Sequence, residues 1–99
     1  MENEFARTEL LLGSGGLSRL REASVMVLGV GGVGSHCIEA LARSGVGKLI
    51  LVDHDRVSVT NINRQSIAMH STVGQYKTKV MKEKIADISP QTEVVTYEC

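Results

Sequence analysis

The 99-residue chain is predicted to be an α/β protein built on a parallel sheet, on three observations. Two short apolar runs, Val25 to Leu28 and Lys48 to Val52, are rich in β-branched residues and too short for helices. Between them Gly29-Val30-Gly31-Gly32-Val33-Gly34 matches G-x-G-x-x-G with one extra glycine, and Ile38, Leu41 and Ala42 follow at helical spacing. An acid, Asp53, closes the second run 19 residues beyond Gly34. Strand, glycine turn, helix, parallel strand and acid come in the order of a nucleotide-binding βαβ unit, the first part of a Rossmann-like, doubly wound sheet.

Each part has a physical reason. Gly29 permits the tight turn, Gly31 lets a phosphate approach the backbone, and Gly34 lets the helix pack on the strand. The helix that starts there points free N–H groups and a positive dipole end at that phosphate. Gly45-Val46-Gly47 stops the helix where a C-terminal cap belongs. Asp53, at the carboxyl end of the second strand, can accept hydrogen bonds from ribose hydroxyls. A glycine turn that merely packed helix on sheet would leave Asp53 without a role.

Composition narrows the class. Hydrophobic residues make up 42% and charged residues 22%, ordinary values for a globular domain. Eleven basic and eleven acidic residues cancel, so no global field draws the chain to nucleic acid or an anionic membrane. No apolar run approaches a membrane span and no signal peptide opens the chain, so no membrane insertion is expected and a cytoplasmic location is the default. Cys37 and Cys99 form neither a metal spacing nor a disulfide framework, and no protein-built metal site is expected.

Residues 1–24 read as a helical N-terminal segment and 25–99 as the nucleotide-binding unit. Met1 to Glu4 is polar and expected to fray. Phe5 to Leu12 can form a short helix with Phe5 and its leucines as the apolar side, Gly13 to Gly16 breaks it, and Leu17 to Glu22 adds another helical turn. This segment is expected to pack across the bottom or side of the sheet, or to let Arg7 reach a phosphate in its own subunit or a partner's. In the first long helix Cys37 reads as a small core residue, His36 as a surface residue, and Glu39 with Arg43 as an exposed i, i+4 pair.

After Asp53, His54 to Gln65 forms a polar segment at the carboxyl end of the sheet, where open α/β sheets bind ligands. It carries two asparagines, an arginine and a glutamine together. Met81, Ile85 and Ile88, continued by Val73, Tyr76 and Val80, mark the apolar side of a helix ended by Pro90. Its four lysines are expected mostly in water, with Lys77 the exception: a cation in the first turn opposes the helix dipole unless an anion binds there. Thr92 to Glu98 forms the third strand.

GVGGVGS, VDHDRVSVTNINRQ and STVGQYK together resemble the ThiF/MoeB/HesA family of ubiquitin-activating-like adenylyltransferases, over essentially the whole chain. FARTELLLG, EALARSGVG and TNINRQ are most similar to the branch that dehydrates threonylcarbamoyladenosine in tRNA. The resemblance implies ATP with Mg2+, transfer of AMP to a carboxylate with release of pyrophosphate, a homodimer, and a tRNA substrate, or else a sulfur-transfer or ubiquitin-like carrier partner. It implies a nucleotide set of Gly29, Gly31, Gly32, Gly34, Asp53, Asp55, Asn61, Arg64, Gln65 and Lys77. Arg64, Arg7 and Lys77 are implied at the reacting phosphates.

Charge favours ATP over a nicotinamide cofactor. A triphosphate carries about four negative charges, and adenylation adds charge to the departing pyrophosphate, which Arg64 and Lys77 would clamp. A nicotinamide-dependent oxidoreductase would leave Asn61, Arg64 and Lys77 as surface residues. A non-catalytic nucleotide-binding or interaction module is the third reading. Members of the family run well beyond a third strand, so the 99 residues read as an N-terminal fragment, inactive alone. Its strands should take the order 3-2-1, with the first strand at an edge and one face bare of helices.

Overall fold

The computed structural model describes residues 4–99; of the Met1 to Glu4 stretch expected to fray, residues 1–3 lie outside the described residues and Glu4 is an exposed turn residue. Three strands, β1 (Ser24–Leu28), β2 (Lys48–Val52) and β3 (Glu93–Tyr97), form one parallel sheet in the order β1-β2-β3. Three helices accompany it: α1 (Ala6–Glu22), α2 (Gly32–Ser44) and α3 (Lys77–Ile88), with a single 3-10 turn at Val59–Asn61. The expected strand order and fold class therefore hold, with β1 at the edge.

The register sorts the sheet into two unlike faces. Met26 pairs with Ile50 and Ile50 with Val95, while Leu28, Val52 and Tyr97 form the next row. The alternate rows, Val25 with Leu49 and Val94 and Val27 with Leu51 and Thr96, turn the other way. Only this second face is covered: Leu49 and Leu51 are buried with Ile38 and Ala42 of α2 and Val80, Met81 and Ile85 of α3. On the first face Met26, Leu28 and Tyr97 are 57%, 75% and 52% exposed. Parallel strands are ordinarily apolar on both faces because helices cover both. Here the sequence is apolar on both and the helices lie on one.

Burial along α2 corrects one expectation. Ser35, Ile38 and Ala42 make the buried stripe, so Cys37 falls off it and is exposed rather than in the core. His36 is exposed as expected, and Arg43 reaches Glu39 at 3.0 Å. In α3, Val80, Met81 and Ile85 are buried, but Val73 lies before the helix and is exposed. Lys79 and Lys82 face water, whereas Lys84 is partly buried and bonded.

The N-terminal segment departs further. The break is confined to Gly13, whose φ of 76° and ψ of 165° kink an otherwise continuous α1. Leu10, Leu11 and Leu12 are exposed; Phe5 and Leu17 are the buried pair, packed beside Gly45. The Gly47 N–H donates to Leu20 O and the Lys48 N–H to Ala23 O, fixing α1 at the amino end of the strands. A Cβ on Gly47 would collide with Arg21 O, so that approach requires glycine. No helix among the described residues is long and apolar enough to cross a membrane.

Candidate functional site

The carboxyl ends of β1 and β2 and the amino ends of α2 and α3 converge at one edge of the sheet. Gly29 ends β1 at φ 97°, and its N–H donates to Val52 O. A Cβ on Gly34 would collide with Gly29 O, so the first turn of α2 lies directly on the turn that precedes it. Gly31 caps α2 with no side-chain hydrogen bond to its free N–H groups, and a Cβ there would meet nothing within 4 Å. That open backbone is what a close-approaching anion requires.

A chain of contacts crosses the edge. Asp53 Oδ2 accepts the Val30 N–H at 2.6 Å, and Oδ1 accepts the Asp55 N–H at 2.7 Å. Asp55 O accepts the Lys77 N–H at 3.1 Å, and Asp55 Oδ2 lies 4.0 Å from Lys77 Nζ. Asp53 thus braces the glycine turn, a role the glycine-turn argument from sequence did not foresee. Each carboxylate oxygen keeps acceptor capacity for a further donor.

Lys77 is 7% exposed, in the first turn of α3. Thr78 beside it is fully buried and donates to Glu98 Oε1 at 2.9 Å. The 4.0 Å separation from Asp55 is an ion pair at its outer limit, so a lysine whose stem is packed away stands in the first turn of a helix with only a distant acid beside its ammonium.

The Asn61–Gln65 loop closes the site beside α2. Arg64 O would lie 4.0 Å from a Cβ on Gly32. Asn61 is buried, its Oδ1 accepting the Ser58 N–H at 2.9 Å, and Asn61 O accepts the N–H groups of Arg64 and Gln65. Gln65 is also buried, and its Oε1 has no hydrogen-bond partner. The Arg64 guanidinium is exposed and folded back, donating to Thr60 O at 2.8 Å and Asn63 Oδ1 at 3.0 Å. Ser58 and Thr60 were not singled out from sequence; the Ser58-Val59-Thr60-Asn61 capping pattern is the signal for them.

Arg7 is not brought to this edge. It lies two residues from Phe5, which packs by Gly45 beyond the far end of α2. A 13-residue helix is about 20 Å long, more than one arginine can span. Asp53, His54 and Asp55 offer three possible ligand atoms within 4.8 Å of one another, the only such group among the described residues. Both Asp53 oxygens already accept backbone N–H groups.

Residues 5–99 match the ThiF family. The chain is similar to the tRNA threonylcarbamoyladenosine dehydratase of Bacillus subtilis, 57% identical over 98 residues that cover 99% of this chain and 39% of that protein. The Escherichia coli enzyme of that name is 44% identical over 94 residues, covering 95% of this chain and 35% of the relative. The crystal structure of E. coli tRNA N6-threonylcarbamoyladenosine dehydratase in complex with ATP superposes with a TM-score of 0.95 at 43% identity, over 97% of this chain and 40% of that one. E. coli MccB with ATP gives 0.89 at 32% identity, over 100% of this chain and 32% of that one. The chain therefore spans well under half the length of these relatives. On the strength of that match over nearly its whole length, the chain belongs to the ThiF family.

Proposed function

We propose that the carboxyl edge of the sheet binds ATP with Mg2+ and that the protein adenylates a carboxylate, releasing pyrophosphate. The observation that carries this reading is Lys77. Its stem is packed away in the first turn of a helix and its ammonium has no acid nearer than 4.0 Å, which sets a cation at a helix amino end where an anion would bind. The E. coli dehydratase at 43% identity is a complex with ATP, which supports the same ligand here. A nicotinamide reading expects Asn61 and Lys77 at the surface, and both are buried.

In this proposal Gly29, Gly31, Gly32 and Gly34 with the start of α2 receive phosphate oxygens, and Asp53 receives ribose hydroxyls. Asn61 and Gln65 contribute amide groups. Arg64, turned from Thr60 O, and Lys77 neutralise charge that grows on the leaving pyrophosphate. Mg2+ takes hard oxygen ligands, and the 55% exposed Asp55 could supply one without giving up a backbone bond. Arg7 acts from a second copy in a homodimer, since its own site lies too far.

The acceptor we propose is the carboxylate of the threonylcarbamoyl group on tRNA, in the cytoplasm; once adenylated it cyclises by expelling AMP, a net loss of water from the threonylcarbamoyl group. Similarity is higher to the dehydratases, at 44–57% over 93–98 residues, than to the molybdopterin-synthase adenylyltransferase of Salmonella typhimurium, at 40% over 79 residues. A carrier-protein carboxylate is the second reading, on the same ATP chemistry. Calorimetric titration of the full-length protein with ATP and Mg2+, and with NAD, tests the ligand; tighter binding of NAD would sink adenylation. Pyrophosphate release stimulated by threonylcarbamoyladenosine-bearing tRNA, and not by carrier protein, fixes the acceptor.

A further inference from the structure

Lys84 stands seven residues beyond Lys77, two turns along the same side of α3. Its Nζ donates to Glu39 Oε2 of α2 at 3.1 Å and to Ser66 Oγ at 3.1 Å. Three segments meet at this one ammonium. One is α2, whose first turn carries the glycines. Another is α3, which begins with Lys77. The last is the loop whose Arg64 and Gln65 immediately precede Ser66.

The pair is better sheltered than an ordinary surface ion pair: the Lys84 and Glu39 side chains are 29% and 23% exposed. Glu39 also takes Arg43 at 3.0 Å. The Lys84 hydrogen bond holds the Glu39 carboxyl below its ordinary range, with Arg43 adding to it and burial opposing. The negative partner is therefore charged wherever ATP chemistry operates. Ser66 Oγ ties the loop end to this ammonium, two residues from an Arg64 carbonyl that would lie 4.0 Å from a Cβ on Gly32.

We propose that Lys84 is a positioning residue for the nucleotide site. By bridging Glu39 and Ser66 it sets the Asn61–Gln65 loop against the first turn of α2, without touching the ligand. The proposal rests on the ATP reading above, and its test separates the two.

The test compares the full-length protein with its Lys84→Met, Lys84→Arg and Ser66→Ala variants by amide hydrogen exchange and by titration with ATP and Mg2+. Lys84→Met should speed exchange at Arg64, Gln65 and Ala68 by about tenfold while Leu49 and Leu51 stay protected. It should weaken ATP binding by about fivefold, and Lys84→Arg should restore affinity to within about twofold of the parent. Ser66→Ala, which disturbs only the loop end, should loosen the same amides and serves if Lys84→Met does not fold. Unchanged loop exchange in both variants overturns the proposal, as does loosening that extends equally to β2. Loss of affinity in Lys84→Arg equal to that in Lys84→Met also overturns it. A parent protein that ignores ATP overturns the ATP reading instead, and loop exchange still decides whether Lys84 sets the loop.

Discussion

Asp53 Oδ2 accepts the Val30 amide N–H at 2.6 Å, joining two residues 23 apart in sequence. Its other oxygen accepts the Asp55 N–H, so one carboxylate holds the glycine turn after β1 and the turn after β2 together. The acid thus shapes the place where phosphate would lie as well as offering oxygens to a ribose.

Asp53→Ala should therefore lose stability as well as nucleotide affinity. Two charge-assisted bonds are removed, and each such bond contributes about 1.5–3 kcal/mol. Asp53→Asn, which retains one good acceptor, should fall between. Urea denaturation orders the three proteins. An alanine variant as stable as its parent would mean that the Val30 bond is incidental.

That dual role marks the limit of what could be read from the sequence. The sheet was legible because Val25 to Leu28 and Leu49 to Val52 are apolar runs, the first followed by Gly29 and the second led by Gly47-Lys48, and the structure gives β1 and β2 within one residue of them. Lys77 stood out because a cation in a first turn contradicts the dipole. Side-chain direction was not legible. Cys37 misses the stripe of Ser35, Ile38 and Ala42 by one position, and Leu10 to Leu12 look apolar whichever way α1 turns. Arg64 could be placed beside the glycine turn by its loop, but its fold-back onto Thr60 O depends on a local capping turn.

Lys77→Met should separate binding from stability. The methionine keeps the stem's packing and removes a charge whose acid partner stands at 4.0 Å, so the unliganded fold should lose little stability. ATP affinity should fall by at least about tenfold. Thermal unfolding with and without ATP reads both effects. A variant that unfolds early yet binds ATP normally would assign Lys77 to the core alone.

Arg64→Ala in the full-length protein should mainly lower turnover, by about 100-fold or more, because its partner charge grows in the transition state. The unliganded guanidinium touches only Thr60 O and Asn63 Oδ1, so stability should change little. Pyrophosphate release at saturating ATP is the measurement. An unchanged rate would leave Arg64 as a loop brace.

Glu39 gives a pH signature. Its folded carboxyl titrates below the ordinary 4.5, held down first by the Lys84 hydrogen bond. A depressed acid contributes stability above its unfolded value and loses it as pH falls through the folded value. The parent's advantage over Glu39→Gln should accordingly be full at about pH 6 and shrink on the acid side of 4.5. Urea midpoints across that range decide it; an advantage that persists at the acid end would show that packing, not charge, is responsible.

The uncovered sheet face governs the behaviour of the 99-residue chain in isolation. Met26, Leu28 and Tyr97 stand in water on that face, with Ile50, Val52 and Val95 half-buried between them. Burying an aliphatic side chain contributes about 1.5–3 kcal/mol, against a total domain stability of about 5–15 kcal/mol. Leaving this row wet forfeits a sizeable part of that total. β1 adds an unpaired edge along the same side, a template for another strand. α1 does not relieve either defect, because its buried Leu17 and the Phe5 that precedes it pack beside Gly45. The isolated chain should therefore self-associate through this face at micromolar concentration, and a Met26→Lys, Leu28→Lys double variant should return it to monomer. Sedimentation velocity reads the mass, and binding of an environment-sensitive dye reads the apolar surface. A cooperative monomer that binds no dye would show that the face is too small to drive association.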